Sequence, residues 1–422
     1  MTHVAYSKRD HRRIRKLKRL HTLYELTSLG LRKLTAYGRK GLQRLLVYPV
    51  ITDKETLGDV VNRLRFALPD DGHYEVRIPV SKALLQTNPD ELPVPSSQQK
   101  FPHRHSHFHF IESAAVRPAQ ADALLLHRCS ALREPRILAH LHKTYILDKE
   151  YYSSVEASTL RAIYYETLTE QRRQAFQAAS KNIYSEMLHP APKAYCFATG
   201  PSFDRYREFQ YEPEAFKVIC NSTVKNHDFL RYIGNPHVLV FADPVFHFSP
   251  CRYAAVFRQQ VLDAFRTFQF HIAVPHYTQP LLLQHFPELE GKLIGMYMRR
   301  YLPLNFPTPE KFWVKSTANI LTALMLPIAS AAADAIYIIG ADGREKGENY
   351  FWKHSKTAQY DDLMQSAFDT HPSFFRDRDY EDYYDEHCAF LEKMIEFGEA
   401  NGKKYFSLTP SYIPALRERR IK

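Results

Sequence analysis

Ala194-Tyr-Cys-Phe-Ala-Thr-Gly-Pro-Ser202 is the most informative stretch of the chain. Its first six residues are mostly apolar and predict a short buried strand. The glycine and proline that follow end the strand in a turn, and the polar segment after Ser202 is typical of a helix. A strand, a tight turn and a helix in this order predict the first unit of a parallel sheet.

Similar apolar runs recur along the rest of the chain, and each is followed by polar residues. They lie at 217–220, 237–242, 270–274, 335–339 and 405–408. Short buried strands that alternate with helical segments predict an α/β domain with a parallel, Rossmann-like sheet, which we place at residues 191–422. In such sheets ligands bind beyond the carboxyl ends of the strands.

Small and polar residues at these strand ends are candidates for binding a nucleotide. They are Gly200, Pro201, Ser202, Asn221, Ser222, Ser316, Thr317, Gly340, Asp342, Gly343 and Tyr350. Glycine lets the backbone approach a phosphate or ribose, and hydroxyls at the start of a predicted helix at 316–326 would help to hold an anion. The same residue types also occur in plain turns and helix caps. The turn at 200–202 matches neither the GxGxxG nor the Walker pattern, so the usual signatures of NAD and ATP sites are missing.

Two strand ends present residues that suit catalysis. Asp243 follows a fully apolar strand and precedes proline, a position for either a helix cap or a site carboxylate. His276 follows the next strand in the same way. Together they would suit nucleophilic and acid–base chemistry. His371, in a polar loop further along, is another candidate, although a lone histidine is more often structural.

Residues 46–190 form a predicted first domain with a strand at 74–78 and helices over 154–187. Four alternating histidines, His103, His105, His107 and His109, would share one face of a strand. Adjacent side chains on one strand face rarely converge on a single ion, and no acidic or cysteine ligand is evident nearby. A polar strand face is therefore favoured over a metal site.

The net charge of +11 is concentrated at the N-terminus, where residues 1–44 contain thirteen Lys and Arg and two acidic residues. The pattern over 11–48 predicts a basic amphipathic helix or helical pair. We expect residues 1–45 to bind an anionic membrane surface; a nucleic acid or a solvated helix are the alternatives. A nucleic-acid enzyme would usually distribute basic charge over its catalytic surface, so the charge is assigned to an appendage, and the membrane is preferred to a nucleic acid as its partner.

The cysteines and the apolar segments indicate a cytoplasmic protein. The five cysteines are scattered without CxxC spacing, which predicts reduced thiols: Cys129, Cys196, Cys220, Cys251 and Cys388. No apolar run follows the basic N-terminus, so no signal peptide is expected. The longest apolar stretch, 318–341, contains Pro327 and Asp334 and predicts a helix and a strand instead of a membrane span.

The order of the motifs resembles that of bacterial glycosyltransferases that use a CMP-sugar. The run comprises strands ending in Gly-Pro-Ser, Asn-Ser and Asp-Pro, a Ser-Thr helix, a strand ending in Gly-Ala-Asp-Gly, an aromatic loop and His-Pro. The group includes the sialyltransferases, and the chain looks most like its retaining β-Kdo transferases. The resemblance covers about residues 192–416 and is weak over 46–190. It implies a two-domain GT-B-like arrangement in which residues 46–190 bind the acceptor.

The resemblance also implies a role for individual residues. Asp243 matches the nucleophile of the retaining enzymes, whereas the inverting sialyltransferases have Asn-Pro there. His276 matches a histidine of the active-site cleft, and Glu166 or Glu170 is a guess for an acid or base from the first domain. Residues that match the nucleotide pocket are Gly200, Ser202, Asn221, Ser222, Ser316, Thr317, Asp342, Gly343 and Tyr350, and His371 resembles the His-Pro element.

The function implied is transfer of Kdo from CMP-Kdo to a lipid-linked saccharide, at the inner face of the plasma membrane. Retention would require two displacements and a covalent intermediate on Asp243. No metal or other cofactor is expected, because the donor has one phosphate instead of a diphosphate. The alternatives are a CMP-sialic-acid transferase, an enzyme similar to a pterin pyrophosphokinase, and a non-catalytic binding module.

Overall fold

The computed structural model describes residues 40–101, 107–151, 155–345, 355–377 and 380–421, with the backbone alone at Tyr380, and the single positions Arg12, Lys16 and Arg19. The predictions for most of residues 1–45 and for His103, His105 and Tyr350 lie outside the described residues.

The first half of the described chain contains a five-stranded parallel sheet in the order β3-β2-β1-β4-β5. Its strands are β1 Arg44–Tyr48, β2 Glu75–Val80, β3 Phe108–Glu112, β4 Ala123–Leu126 and β5 Thr144–Ile146. The helices are α1 Lys54–Ala67, α2 Pro135–Leu138, α3 Val155–Thr167 and α4 Glu170–Met187. This strand order matches the first five strands of the classic Rossmann sheet, whose order is 3-2-1-4-5-6.

The second half contains an eight-stranded parallel sheet in the order β11-β10-β9-β8-β7-β6-β12-β13. Its strands are β6 Ala194–Phe197, β7 Phe216–Cys220, β8 Val238–Val240, β9 His271–Pro275, β10 Leu293–Arg299, β11 Trp313–Lys315, β12 Ala335–Ile339 and β13 Lys404–Ser407. The helices are α5 His227–Ile233, α6 Arg252–Phe268, α7 Gln279–His285, α8 Leu326–Ala332, α9 Met364–Thr370, α10 Pro372–Arg376, α11 Tyr380–Ala400 and α12 Pro414–Arg417. The π-helix Leu321–Met325 leads directly into α8.

The predicted α/β class is confirmed, and every strand predicted for the second domain is present. β10 and β11 were not predicted. β11 has only three residues, and Gly295 interrupts the apolar sequence of β10, although the strand itself is continuous. In the first domain the prediction of helix over 11–48 is wrong at Arg44–Tyr48, which forms β1. β1 and β4 are short apolar runs buried on both faces, and such runs lack the alternation that distinguishes a strand from a helix.

The second sheet is covered by helices on both faces. Phe257 and Phe265 of α6 belong to the core on one face. Leu324 and Ile328 of the helical segment at 321–332, with Leu391 of α11, belong to the core on the other face. This double covering explains why the central strands are apolar on both sides.

Helix α3 joins the two halves of the molecule. Ala157 at its start is buried in the core of the second sheet, whereas Leu160 and Ile163 are buried in the core of the first sheet. His285 of α7 contacts the carbonyl oxygen of Phe66 in α1 at 2.8 Å through Nε2. The two sheets are therefore held together by buried side chains as well as by the chain.

The order of the second sheet reverses at β6. β7 to β11 extend from one side of β6, and β12 and β13 lie on the other. The loops after β6 and β12 consequently leave the sheet in different directions and open a crevice at its carboxyl edge. Within the described residues, no helix is both long enough and apolar enough to cross a membrane.

Candidate active site

A cavity of about 430 Å³ lies at the carboxyl edge of the second sheet. Nine of the residues predicted from the sequence line it: Gly200, Asn221, Ser222, Asp243, Ser316, Thr317, Gly340, Asp342 and Gly343. Ser158 and Arg161 of α3 line it from the side of the first sheet, and Tyr383, Tyr384 and His387 of α11 line it as well. The strand ends from β6 to β12 thus contribute to one cavity.

The loops that follow β6 and β12 contact each other directly beside the cavity. The Gly200 N–H donates to the Gly340 carbonyl oxygen at 2.8 Å. A Cβ at Gly200 would lie 2.5 Å from that oxygen and 2.2 Å from Asp342 Oδ2, and Gly340 has a φ of +74°. Both glycines are therefore required by the close approach of the two loops.

Asp342 is fixed in this crevice by Ser202. The Ser202 hydroxyl donates to Asp342 Oδ2 at 2.9 Å, and its backbone N–H donates to Oδ1 at 3.1 Å. Burial raises the pKa of Asp342, and the bonds from Ser202 oppose that rise. Ser202 therefore supports the cavity wall instead of lining it, and the adjacent Pro201 also lies outside the lining.

Asn221 at the end of β7 has an uncommon backbone conformation, with a φ of 48°. Its side-chain Oδ1 is buried and accepts no hydrogen bond from the described residues. Left-handed backbone in a non-glycine residue and an unpaired buried acceptor are both unfavourable. Their coincidence in a cavity wall makes Asn221 a candidate for contact with a ligand. The neighbouring Ser222 differs, because its hydroxyl donates to the Ala358 carbonyl oxygen.

Asp243 lies at the end of β8 and is held by the turn that follows. Its Oδ1 accepts hydrogen bonds from the N–H groups of Val245 at 2.8 Å and Phe246 at 3.0 Å. The sequence left open whether Asp243 is a cap or a site carboxylate. In the structure the carboxylate caps a turn and also lines the cavity. The bonds to Oδ1 fix the direction of the carboxylate.

His247, which the sequence patterns did not identify, lies beside Asp243 in the cavity wall. Its Nδ1 accepts the Asp243 N–H at 3.0 Å, which places the proton of the neutral ring on Nε2. Burial, together with the positive charges of Arg161 and Arg258, lowers the pKa of His247 to about 3. His247 is therefore a neutral hydrogen-bond donor at physiological pH.

Arg161 also lacked a sequence signal, because it lies in the middle of an ordinary helix. Its Nη1 donates to the Ala242 carbonyl oxygen, and its guanidinium lies 5.0 Å from the centroid of the Tyr277 ring. The Nε atom is buried and has no hydrogen-bond partner among the described residues. Arg161 thus brings a cation from α3 to the ends of β8 and β9.

Ser316 and Thr317 line the cavity but do not begin the predicted helix. The helical segment begins near Leu321, and Asn319 caps it by accepting the Leu321 N–H at 2.9 Å. The Thr317 hydroxyl lies 2.9 Å from that of Thr322 and makes its contacts within the same turn. The segment then forms a π-helix, a distortion that is often found at functional sites.

His276 does not line the cavity, contrary to expectation. Its ring stacks on Tyr297 with centroids 4.0 Å apart and meets the edges of Tyr165 and Tyr277. Burial lowers its pKa to about 3, with a contribution from Arg299. The chain turns into a short helix immediately after β9, so Pro275 and Tyr277 line the cavity and His276 points among the tyrosines.

His371 lies in a buried polar network between the two halves and not in the cavity. Its Nδ1 lies 2.6 Å from Glu156 Oε2, and Arg63 binds the other oxygen of Glu156. Arg63 also bonds Asp59 Oδ1 at 2.9 Å, and Lys149 bonds Oδ2 of the same residue at 2.9 Å. Burial, followed by the charge of Arg63, lowers the pKa of His371 well below its ordinary value. The position of His371 is that of a structural residue.

Glu166 and Glu170, the suggested acid or base, lie outside the cavity lining. Glu166 is on α3 but forms an ion pair with Arg173 at 3.8 Å. Glu170 begins α4 and binds Gln174 at the surface. One helical turn separates Arg161 from residue 165, so Glu166 projects from a different side of α3.

The structure describes two of the four alternating histidines of the first domain, His107 and His109, and of these two only His109 lies on a strand. β3 begins at Phe108, so His107 precedes the strand, where it is buried and lies 3.3 Å from Asp70. His109 is exposed. Within the described residues, no three metal-ligating side chains are grouped. The cysteines at 129, 196, 220, 251 and 388 are free thiols, as predicted.

No family model, curated protein or solved structure matches this chain. The assignment of the site therefore depends on its own chemistry. The cavity combines a crevice of glycine-rich backbone, an unpaired amide oxygen, a carboxylate on a fixed turn and a cation. These groups suit a ligand with a nucleotide at one end and a reacting, anionic group at the other.

Proposed function

We propose that the protein is a retaining glycosyltransferase that transfers Kdo from CMP-Kdo to a lipid-linked saccharide. The observation that supports this most is the position of Asp243 in the same cavity as Gly200, Thr317 and Asp342. A carboxylate at the end of β8 and a nucleotide-type crevice between β6 and β12 are the two parts that the reaction needs.

The spacing of the strands fits a nucleotide-sugar. β8 is two strands away from β6, so Asp243 is about 10 Å from the crevice by the spacing of neighbouring strands. In the proposed pose the nucleotide lies in the crevice against Gly200 and Asn221. The sugar then extends along the carboxyl edge of the sheet toward Asp243.

The chemistry in the proposal consists of two displacements at the anomeric carbon. A carboxylate oxygen of Asp243 forms a bond to this carbon while its bond to the phosphate oxygen breaks, and CMP leaves with the electron pair. A hydroxyl oxygen of the acceptor then bonds to the same carbon, the Asp243 ester bond breaks and the hydroxyl proton passes to a base. Two inversions give net retention. His247 Nε2–H is a candidate donor to the departing phosphate.

The GT-B-like arrangement is part of the proposal. The acceptor would enter from the side of the first sheet, whose helix α3 contributes Ser158 and Arg161 to the cavity. No metal is included, since the leaving group is a monophosphate. A cytoplasmic enzyme at the inner membrane face would meet its lipid-linked acceptor there.

A screen of CMP-sugars tests the proposed activity. We expect hydrolysis or transfer with CMP-Kdo, and an increase in the intact mass of the protein by one Kdo residue when the acceptor is omitted. Turnover of CMP-sialic acid alone would favour the sialyltransferase alternative, and turnover of a pterin with ATP would favour the pyrophosphokinase alternative. Absence of CMP binding would rule out the whole proposal.

The membrane part of the proposal concerns residues 1–45 and has its own test. Deletion of residues 1–39, which leaves β1 intact, should reduce sedimentation with vesicles that contain anionic phosphatidylglycerol, and should leave turnover on a soluble acceptor unchanged. Vesicles of neutral phosphatidylcholine are the control. Equal sedimentation of the full-length and shortened proteins with anionic vesicles would remove the membrane assignment.

A further inference from the structure

We propose that Arg161 forms a carboxylate-binding subsite beside Asp243, and that it holds the acid group of a 2-keto-acid sugar in the donor. This inference rests on the proposed function and makes it more specific. It assigns the recognition of the donor sugar to a residue of α3, outside the second sheet.

Arg161 differs from Arg172 and Arg173, the arginines at the start of the next helix, α4. Arg172 forms an ion pair with Asp71 at 3.2 Å, and Arg173 forms one with Glu166 at 3.8 Å. Arg161 forms no ion pair among the described residues; its recorded contacts are the Ala242 carbonyl oxygen and the Tyr277 ring. A cation in a half-buried cavity wall without a carboxylate partner is available to an anionic ligand.

The geometry of the guanidinium suits a carboxylate. Nη1 is used by the Ala242 carbonyl oxygen, and stacking on Tyr277 fixes the plane of the group. The remaining edge presents Nε and Nη2, and Nε lacks a partner among the described residues. Two parallel N–H donors on one edge match the two oxygens of a carboxylate.

The place of the subsite suits the carboxylate of the donor sugar. Arg161 binds the carbonyl oxygen of Ala242, the residue directly before Asp243. In a 2-keto-acid sugar the carboxylate is attached to the anomeric carbon, which is the carbon that Asp243 would attack. A carboxylate on Arg161 would therefore place that carbon next to Asp243. The donor phosphate is bonded through oxygen to the same carbon, so the comparison of ligands below, and not position alone, distinguishes the two anions.

The test compares the binding of CMP and CMP-Kdo by calorimetry in the full-length wild type, Arg161→Met and Arg161→Lys. CMP supplies a phosphate without the sugar carboxylate. We expect Arg161→Met to weaken binding of CMP-Kdo at least tenfold and binding of CMP less than twofold. Arg161→Lys should recover part of the loss, because it keeps the charge without the paired donors. In turnover assays the loss should be larger in KM for the donor than in kcat.

Arg173→Met is the matched control. Arg173 also stacks on a tyrosine, at 4.9 Å from the Tyr165 ring, and donates to backbone carbonyl oxygens, but it does not line the cavity. Its replacement should leave the ratio of the CMP-Kdo and CMP affinities unchanged. If Arg161→Met weakens binding of CMP and CMP-Kdo equally, the arginine binds the phosphate. If it weakens binding of neither ligand, the role of the arginine is structural. Either result would overturn the subsite.

Failure of the proposed function would give a different pattern. The wild type would then bind CMP-Kdo no more tightly than CMP, and pyruvate would replace the donor as the probe. Saturable chemical shift changes with pyruvate that Arg161→Met abolishes would support the carboxylate subsite alone. Identical pyruvate titrations of the wild type and Arg161→Met would overturn it.

Discussion

The reactivity of the cavity depends on how Asp243 is held. Its Oδ1 accepts two backbone hydrogen bonds from the turn at Val245 and Phe246, so the turn and the carboxylate orient one another. Asparagine retains an Oδ1 acceptor, whereas alanine does not. The two replacements therefore separate the chemical role of the residue from its structural role.

Asp243→Asn should lower kcat by about a thousandfold or more, the usual consequence of removing a nucleophile, and leave the affinity for CMP and the unfolding free energy nearly unchanged. Asp243→Ala should lose the same activity and also about 1 kcal/mol of unfolding free energy, because the cap is lost. Initial rates, calorimetry and chemical denaturation measure the three quantities. Full turnover in Asp243→Asn would remove the residue from the covalent step.

Asn221 combines a left-handed backbone with an unpaired buried oxygen, and Asn235 provides a control with the backbone feature alone. Asn235 has a φ of 40° and is exposed, outside the cavity. Alanine at either position should cost about 1–2 kcal/mol of unfolding free energy. CMP affinity should fall roughly tenfold in Asn221→Ala and not in Asn235→Ala. Equal CMP affinities in the two variants would contradict a ligand contact at Asn221.

Among the elements, α1 and α3 meet the α9–α10 junction through buried charges. Arg63 is 4% exposed and Glu156 is 2% exposed, and both contact the segment at Thr370 and His371. The network positions α3, and α3 in turn carries Ser158 and Arg161 to the cavity. Stability of this junction and geometry of the site are therefore linked.

Arg63→Ala should reduce the unfolding free energy by about 3–5 kcal/mol, because it leaves the carboxylates of Glu156 and Asp59 buried with one partner fewer. Arg231→Ala is the control: its ion pair with Asp228 is exposed, and its loss should cost less than about 1 kcal/mol. Urea denaturation of both variants measures the difference. Similar losses in the two variants would show that the buried network adds little.

For the whole molecule, the buried histidines predict how stability depends on pH. Burial lowers the pKa of His247 and His276 to about 3 and that of His285 to about 4. The unfolded chain binds these protons as the pH falls below about 6.5, and the folded chain binds them only near pH 3–4. The unfolded state therefore gains stability from protonation first, and the unfolding free energy falls as the pH is lowered through this interval.

We expect the unfolding free energy to decrease between pH 7.5 and pH 5.5, a range in which most carboxylates stay ionised. His285→Gln should reduce the slope by up to about 1 kcal/mol per pH unit below pH 6.5. His73→Gln, at an exposed position, is the control. Guanidinium denaturation at intervals of 0.5 pH unit provides the data, and equal slopes in all three proteins would contradict a contribution from His285.

Local patterns in the chain predicted six of the eight strands of the second sheet and nine of the residues that line the cavity at its carboxyl edge. The apolar runs at 194–199 and 335–339, each followed by glycine, predicted two strands that end in glycine turns, because strand formation and turn formation depend on neighbouring residues. Asp243 was identified in the same way, from one strand and one turn. The first sheet was mostly missed, since its short apolar runs satisfy a helix and a buried strand equally well.

The remaining features depend on contacts between distant parts of the chain, which no local pattern encodes. His371 has the same polar setting in the sequence as a site residue, yet Glu156, more than two hundred residues earlier, holds it in the junction. His276 was expected in the cleft because it follows a strand. The turn after β9 instead directs its ring among Tyr165, Tyr277 and Tyr297. Arg161 lines the cavity because α3 packs between the cores of the two sheets. Such a position depends on tertiary packing, which the sequence around Arg161 does not specify.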